Sequence, residues 1–461
     1  MVYPFFMLST LIQLQAQSEN YQSFLSLNFE QTRSLLSTSN NLQFSNIYLD
    51  NLNDCAQLVL NESLAQYEAF ENRYEDRLSQ VRNLPEGPER GFLEAELRLQ
   101  WAFIASKYDN NWSAFWTLKR ALNRAQENID NYPEYQLNYR TLGLINVVLD
   151  MVPENRKWLL GVFGMRGNFE LGYEQIKSTL ALDSQWTNES KIILALIDSY
   201  ILEAEVDIED LPNQSLFAYV KGLAANKQHN AKVAIEHFAL LQDEISIKPY
   251  LMAESHFLNG DLNEAYRAYT NYLKKDNNNY RKDALLKSGL ILWFQSGDMK
   301  SALPYFEKAN ETKETNTEID RNAAVILKNI DEKDLAVTKL RYYLDGGAMS
   351  NAKAIIEQMD SLDLSAYQRF ELGYRKARYH QINGDFSEAQ TLFLEVIEQG
   401  SPYEGSYYVP NALLQLGRLN EKRGDADMAK LFYQRVLEHD EHPYKESLDL
   451  KARIAISGLN D

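Results

Sequence analysis

Cysteine is all but absent from this chain of 461 residues: Cys55 stands alone. No disulfide can close within the chain, and no cysteine cage can hold a metal. Nothing beside it suggests a helix start or a basic neighbour, so the thiol reads as a small buried packing group rather than a nucleophile. Long apolar runs are also missing. The opening MVYPFFMLSTLIQLQAQSEN is apolar only through Leu14, short of the roughly 20 residues that a spanning helix needs. No later segment can serve as a span. Basic runs are missing too: 47 Lys and Arg stand against 65 Asp and Glu, a formal charge of −18. In the absence of a local basic patch, that field repels nucleic acid and anionic lipid. The acidity serves solubility, with a basic partner as the weaker reading.

The signatures of chemistry are absent as well. There is no GxxxxGK[ST] phosphate loop, GxGxxG fingerprint, HExxH pair or GxSxG elbow. Of six histidines, His439 and His442 flank Asp440 and Glu441 in the one dense group of metal-capable side chains. Polar and followed by Pro443, it reads as a solvated loop. His237, His256 and His380 fall at helix positions with no common partner. No catalytic residue, cofactor or metal is expected.

What is present is a recurring turn. Residues 383–393 read NGDFSEAQTLF and residues 259–269 read NGDLNEAYRAY, with RGDADMA at 423–429 as a looser copy. Aligned on the turn residue, the copies fall at His229, Gly260, Gly297, Asp331, Gly384 and Gly424, spaced 31, 37, 34, 53 and 40 apart. Five residues after each turn stands an alanine: Ala234, Ala265, Ala302, Ala336, Ala389 and Ala429. Seven before it stand Gly222, Ala253, Leu290, Ala324, Ala377 and Gly417, where Leu290 departs from the small pattern. Nine after it stand Phe238, Tyr269, Phe306, Leu340, Phe393 and Tyr433. Two antiparallel helices in tight contact need small side chains where their axes approach to about 8–10 Å. Glycine closes the first helix in the left-handed region. Asp261 and Asp385, each with a glutamate three residues on, are placed to cap the second helix in a capping box. The flanks are rich in Ala, Leu, Glu and Lys at helical spacing, which excludes a β-hairpin.

A period near 34 with two helices per unit resembles the tetratricopeptide repeat (TPR) family. The resemblance implies an all-α fold, a right-handed superhelical array of antiparallel helix pairs. It also implies a concave groove lined by the first helix of each pair. Carried onto this chain, the groove positions are Tyr219, Asn226, Tyr250, Glu254, Lys287, Tyr374, Arg378, Gln381 and Arg418. An aromatic groove with a few charges suits an extended or helical peptide of a protein partner.

Around this core, residues 1–17 resemble a secretory signal peptide ending near Ala16, although no Lys or Arg precedes Arg33 and Leu14 is large for its place. If cleaved, the chain is secreted or periplasmic, with no membrane insertion of the mature chain; otherwise it is cytoplasmic. Residues 18–205 form a divergent helical region, 206–344 the array and 345–461 further units. Within the divergent region, 93–125 fits a pair with Ala102, Ala114 and Ala121 near the small positions. Residues 158–176 fit another, turning at Gly167-Asn168 with Gly172 as the small residue. The interval 332–383 is expected to hold a loop and an extra helix. The expected function is a non-enzymatic scaffold. Two alternatives are an envelope carrier gripping a glycan or apolar ligand through Trp101, Trp112, Trp116, Trp158 and Trp186, and an enzyme subunit with a site in the first 200 residues. A clamp for an acidic C-terminus fits poorly, since it needs several cations converging in the groove.

Overall fold

The computed structural model describes residues 19–38, 44–152, 154–182, 184–275, 279–313, 317–359, 361–403, 405–440 and 442–459, and all regular structure among them is helical. The leader-like residues 1–17 lie outside the described residues. The first half comprises α1 (Phe29–Thr38), α2 (Phe44–Asn61), α3 (Leu64–Arg82), α4 (Pro88–Lys107), α5 (Asn111–Asn131), α6 (Leu137–Asp150), α7 (Glu154–Val162), α8 (Phe169–Ser178) and α9 (Ser184–Ile197). A π turn, Asp198–Leu202, extends α9. The second half comprises α10 (Ser215–Lys227), α11 (Ala231–Ala239), α12 (Lys248–Asn259), α13 (Leu262–Leu273), α14 (Arg281–Ser296), α15 (Leu303–Glu311) and α16 (Glu318–Asn329). It ends with α17 (Leu335–Gly346), α18 (Met349–Met359), α19 (Ala366–Ile382), α20 (Phe386–Gln399), α21 (Tyr408–Lys422), α22 (Ala426–Leu437) and α23 (Lys445–Gly458).

Consecutive helices pack as pairs, and the expected alanines sit where they must. Ala234, Ala265, Ala302, Ala389 and Ala429 are fully buried, as are the large residues Phe238, Tyr269, Phe393 and Tyr433. In three units a glycine of the first helix faces the aromatic ring of the second. A Cβ on Gly222 would come within 2.5 Å of the Phe238 ring, one on Gly289 within 2.6 Å of Phe306, and one on Gly417 within 2.3 Å of Tyr433. The small residue of that middle unit is therefore Gly289, not Leu290, which turns into the core.

The turn is a fixed hydrogen-bonded device. The N–H that follows the left-handed residue donates to the carbonyl five residues back: Asn230 to Ala225 at 2.9 Å, Asp261 to His256 at 2.9 Å, Asp385 to His380 at 2.8 Å and Asp425 to Asn420 at 3.0 Å. Asp331 does not belong to this set. Its backbone is extended, with φ −120°, and it caps a short 3-10 turn. The fourth turn is at Gly347 instead, with φ 75°, where Ala348 donates to Tyr343 at 2.8 Å and Ala352, five on, is fully buried. So α17 pairs with α18 across the expected 344/345 boundary, while α16 is the extra helix and lies against α14. Ala324 and Ala336, placed by the sequence register at the close approach, are only half-buried.

The expected capping boxes do not form at the two closest copies. Asp261 and Asp385 make no side-chain bond to the helix that follows. Each turns back to the helix that precedes. Asp261 Oδ2 accepts from Asn259 Nδ2 at 2.8 Å and lies 3.3 Å from His256 Nδ1. Asp385 Oδ2 accepts from Asn383 Nδ2 at 3.1 Å and lies 3.3 Å from His380 Nδ1. These bonds pull the Asp385 carboxyl below its ordinary value. His256 and His380 thus do share an equivalent partner.

In the first half, α4 and α5 pair as expected, with Ala121 and Ala125 buried at the contact. Gly172 does mark a close approach, but its partner is α6. A Cβ there would meet the Gly143 carbonyl at 2.5 Å, so α8 pairs with α6 and α7 is left outside. The superhelix closes on itself in the second half, where α17 packs back against α12 and α10. Gly347 lies so near the His229 carbonyl that a Cβ would come within 1.8 Å of it.

Two substitutions test the corrected register. Gly347→Ala meets both a left-handed backbone and a backbone oxygen, and is expected to cost about 2–3 kcal/mol. Asp331→Gly keeps a tolerated cap residue and costs less than about 1 kcal/mol. Urea unfolding midpoints separate the two; equal losses would return the turn to Asp331.

Candidate functional site: the concave face

The first helices of the pairs line the inside of the superhelix, and the expected groove residues sit on them. Most, however, bond to one another across neighbouring units. Asn226 Nδ2 donates to Ser255 Oγ at 2.9 Å. Lys287 Nζ lies 2.7 Å from both oxygens of Glu254 and 2.9 Å from Asp283. Buried Tyr250 donates its hydroxyl to Asp283 Oδ2 at 2.8 Å, and its ring stacks on Tyr280 at 4.6 Å. Tyr374, also buried, donates to Asn411 Oδ1 at 2.8 Å. Arg378 reaches Gln381 at 2.5 Å and Gln415 at 3.2 Å, and Gln381 donates to the same Gln415 oxygen at 2.9 Å. Tyr219 is half-buried, its ring against Phe238. The reason is spacing: first helices of adjacent units lie side by side, so facing side chains on them meet each other before they meet a ligand. Tyr250, Lys287 and Tyr374 are wall, not lining. This is a correction to the sequence-derived groove.

Burial marks the same ladder electrostatically. Desolvation pushes the Asp283 carboxyl up to about 6 against the pull of Lys287. Burial, reinforced by Asp283, pushes the Tyr250 hydroxyl far above its ordinary value.

What remains open on the concave face is largely cationic. Arg341 of α17 keeps 38% of its side chain exposed and has only a loose pair, 3.9 Å to Asp345. Arg375, by contrast, is buried and holds Glu371 at 3.0 Å, so it belongs to the wall. Across the closure, Arg378 reaches His229 Nε2 at 3.1 Å, while His229 Nδ1 lies 3.0 Å from the Asp345 carbonyl. Arg418 of α21 and Lys451 of α23 both clasp Glu203, just past the π turn. Burial alone would push the Glu203 carboxyl up; Arg418 and Lys451 overcome it and hold it well below the usual carboxylate range. Arg341, Arg378, Arg418 and Lys451 thus face two carboxylates, Asp345 and Glu203, in a chain whose overall balance is the reverse. Tyr200, 41% exposed, lies under the Lys227 ammonium at 4.6 Å and adds an aromatic surface at the rim. Arg378 and Arg418 are among the positions carried over from the repeat pattern. Arg341 is not among them because the misplaced turn at Asp331 took α17 out of the first-helix set, and Lys451, Glu203 and Tyr200 are not because they lie outside the aligned units.

The first half carries two ionic clusters that the sequence did not announce. Asp54, fully buried, accepts from Arg33 at 3.0 Å, Arg73 at 2.7 Å and Arg77 at 2.5 Å, beside Asp50 in an open cleft of about 190 Å³. Arg140 joins Glu189 at 2.6 Å and Glu96 at 3.2 Å, with Tyr48 bonded to both Arg140 and Glu189. Arg140, Glu189 and Tyr48 are buried, so this cluster offers no face to a substrate. In both clusters the carboxylates are committed to guanidinium groups, an arrangement that ties helices together. Cys55 is buried, and burial pushes its thiol up. No metal-capable group of His, Cys, Asp and Glu exists among the described residues. The His439 and His442 rings stand 6.5 Å apart and perpendicular, and Glu441 lies outside the described residues. Of the tryptophans, Trp101 is stacked between Tyr67 and Tyr74, Trp186 packs on Tyr48 and Phe92, and Trp293 is fully buried.

The closure contact is pH-sensitive in a definite direction. Desolvation, and then Arg378, depresses the His229 imidazole below its ordinary 6.5. A group depressed in the folded state stabilises fully above its unfolded value, and the contribution is lost as pH falls through the folded one. Melting temperature should therefore drop more steeply between about pH 7.5 and pH 5 in the wild type than in His229→Asn, whose asparagine tolerates the φ of 56°. Parallel pH profiles would remove His229 from the closure.

Residues 250–316, which span α12 to α15, and residues 411–440, which span most of α21 and α22, each match a tetratricopeptide repeat family model. No curated protein matches the chain. Among solved structures, the TPR domain of P58(IPK) is 15% identical, covering 88% of this chain and 98% of that one, with a TM-score of 0.22. Yeast Tom70 is 15% identical, covering 95% and 87%, with a TM-score of 0.25. The APC/C hetero-tetramer Cut9-Hcn1 is 11% identical, covering 97% and 89%, with a TM-score of 0.23. None of these overlaps is close enough to say what this chain binds. The chain thus carries tetratricopeptide repeats at 250–316 and 411–440, within an all-helical array of sequential pairs.

Proposed function

We propose that this chain is a non-enzymatic scaffold of the cell envelope that holds an acidic segment of a protein partner in its concave face. Tetratricopeptide repeats typically serve protein binding, and among the described residues no helix is long and apolar enough to cross a membrane. The observation that carries the choice of partner is the cationic excess at Arg341, Arg378, Arg418 and Lys451, in a chain of net charge −18. Such a local reversal focuses an anionic ligand where the low-dielectric walls strengthen the attraction. Arg341 is the anchor, because its carboxylate partner is distant and its head is open. Acidic side chains on an extended segment would replace that weak pair with charge-assisted hydrogen bonds. The leader-like residues 1–17 support export.

A fluorescent acidic peptide should bind more tightly than a neutral scramble, and binding should weaken as salt is raised. Arg341→Glu should weaken it by roughly tenfold or more, since hydrogen bonds to charged groups contribute about 1.5–3 kcal/mol, and should leave the melting temperature close to wild type. Salt-independent binding, or binding indifferent to Arg341→Glu, would rule out the charge-reading role. Fractionation of the native host cell, with and without residues 1–17, tests the compartment: a chain that remains cytoplasmic with its leader intact contradicts export.

A further inference from the structure

Two segments of the first half combine aromatic and cationic residues without a carboxylate. Residues 111–126, NWSAFWTLKRALNRAQ, carry Lys119, Arg120 and Arg124 and no carboxylate. Residues 155–169, NRKWLLGVFGMRGNF, carry Arg156, Lys157 and Arg166 and no carboxylate. The structure brings the segments together. Phe115 and Trp116 of α5 meet Phe163, just past α7, with ring centroids 5.1 and 5.4 Å apart, and Trp112 joins Trp116 at 5.7 Å. Phe115 and Phe163 rest on the core beneath, but the outer side chains stay open. Trp112 is 74% exposed, Trp158 69% and Val162 71%. Trp158 and Val162 sit one turn apart on the same face of α7, the helix that the Gly143–Gly172 contact leaves outside the pairs. A monomeric soluble protein rarely leaves large aromatic side chains this open in one place.

We infer that this aromatic patch is a peripheral docking face for a lipid surface bearing anionic headgroups. Tryptophan with an apolar body and a polar edge is the side chain suited to the headgroup level, and exposed Trp, Phe and Val flanked by Lys and Arg is the composition of an interfacial anchor. The charge identifies the occupant. Arg124 is paired with Glu94 and Glu127 and Lys157 with Asp150, whereas among the described residues no carboxylate pairs with Lys119, Arg120 or Arg166, three cations that reverse the sign of the chain as a whole. A basic or neutral protein partner would give those cations nothing to meet, whereas phosphate-bearing headgroups meet them directly. The sequence reading, which found no basic run, missed the patch because its cations are split between segments that only the fold joins. The concave face is separate, so this inference stands or falls independently of the peptide reading.

The test is co-sedimentation of the full chain with vesicles of phosphatidylcholine alone and with added phosphatidylglycerol, read together with tryptophan emission. Binding to the anionic vesicles with a blue shift, weakening as salt rises, is expected. Lys119→Gln/Arg120→Gln should lower partition by roughly thirtyfold, and Trp112→Ser/Trp158→Ser should abolish the blue shift. Arg120, Trp112 and Trp158 are exposed and Lys119 is half-buried, and an unaltered melting temperature confirms the fold of both variants. Equal partition to both vesicle types, no partition to either, or variants that bind as wild type does would overturn the inference. So would concentration-dependent self-association in gel filtration that Trp112→Ser/Trp158→Ser abolishes without any vesicle binding, since the patch would then be a face between copies of this chain.

Discussion

The contact of a small residue with an aromatic ring, repeated from pair to pair, is the constraint on which the architecture rests. Gly222 against Phe238, Gly289 against Phe306 and Gly417 against Tyr433 leave no room for a methyl group. That excludes larger residues at these positions and sets how closely each second helix lies on its first. With the pairs fixed, successive first helices come side by side. Their facing polar groups then join into the ladder of Asn226–Ser255, Glu254–Lys287, Tyr250–Asp283 and Tyr374–Asn411. The inner surface is thereby divided into a bonded wall and a smaller open strip, and the open strip carries the cations.

The pairs were legible from sequence wherever the turn used glycine and the close approach used alanine, because those residue types have few other reasons to recur at one spacing. They were less legible where the same device uses other residues. Asp109, with φ 58°, precedes an Asn110 that donates to Ala105 at 2.8 Å, and Leu27, with φ 59°, precedes an Asn28 that donates to Ser23 at 3.1 Å. These turns are built like the one at Gly384 but carry no compositional mark. At Asp331 the error ran the other way: an aspartate with an alanine five residues on fitted the letters while its extended backbone served a different cap.

The groove was half legible for a related reason. Family spacing locates the first helices, but it does not say which of their polar side chains are taken by a neighbouring unit and which stay open. That division depends on contacts between residues 30 to 40 positions apart, such as Lys287 with Glu254. It depends also on the closure, which brings residues more than 200 positions apart together, as with Arg418 and Glu203. No periodicity within a single unit encodes either.

That last clasp has a mechanical meaning. Repeat arrays are ordinarily springs: each unit touches only its neighbours, so the coil can stretch or twist by small increments along its length. Here Glu203 is gripped at once by Arg418 and Lys451, and Gly347 rests on the turn at His229. The coil is latched across its own turn. Extension must break the latch before it can spread along the array, so the two ends of the second half yield together or not at all.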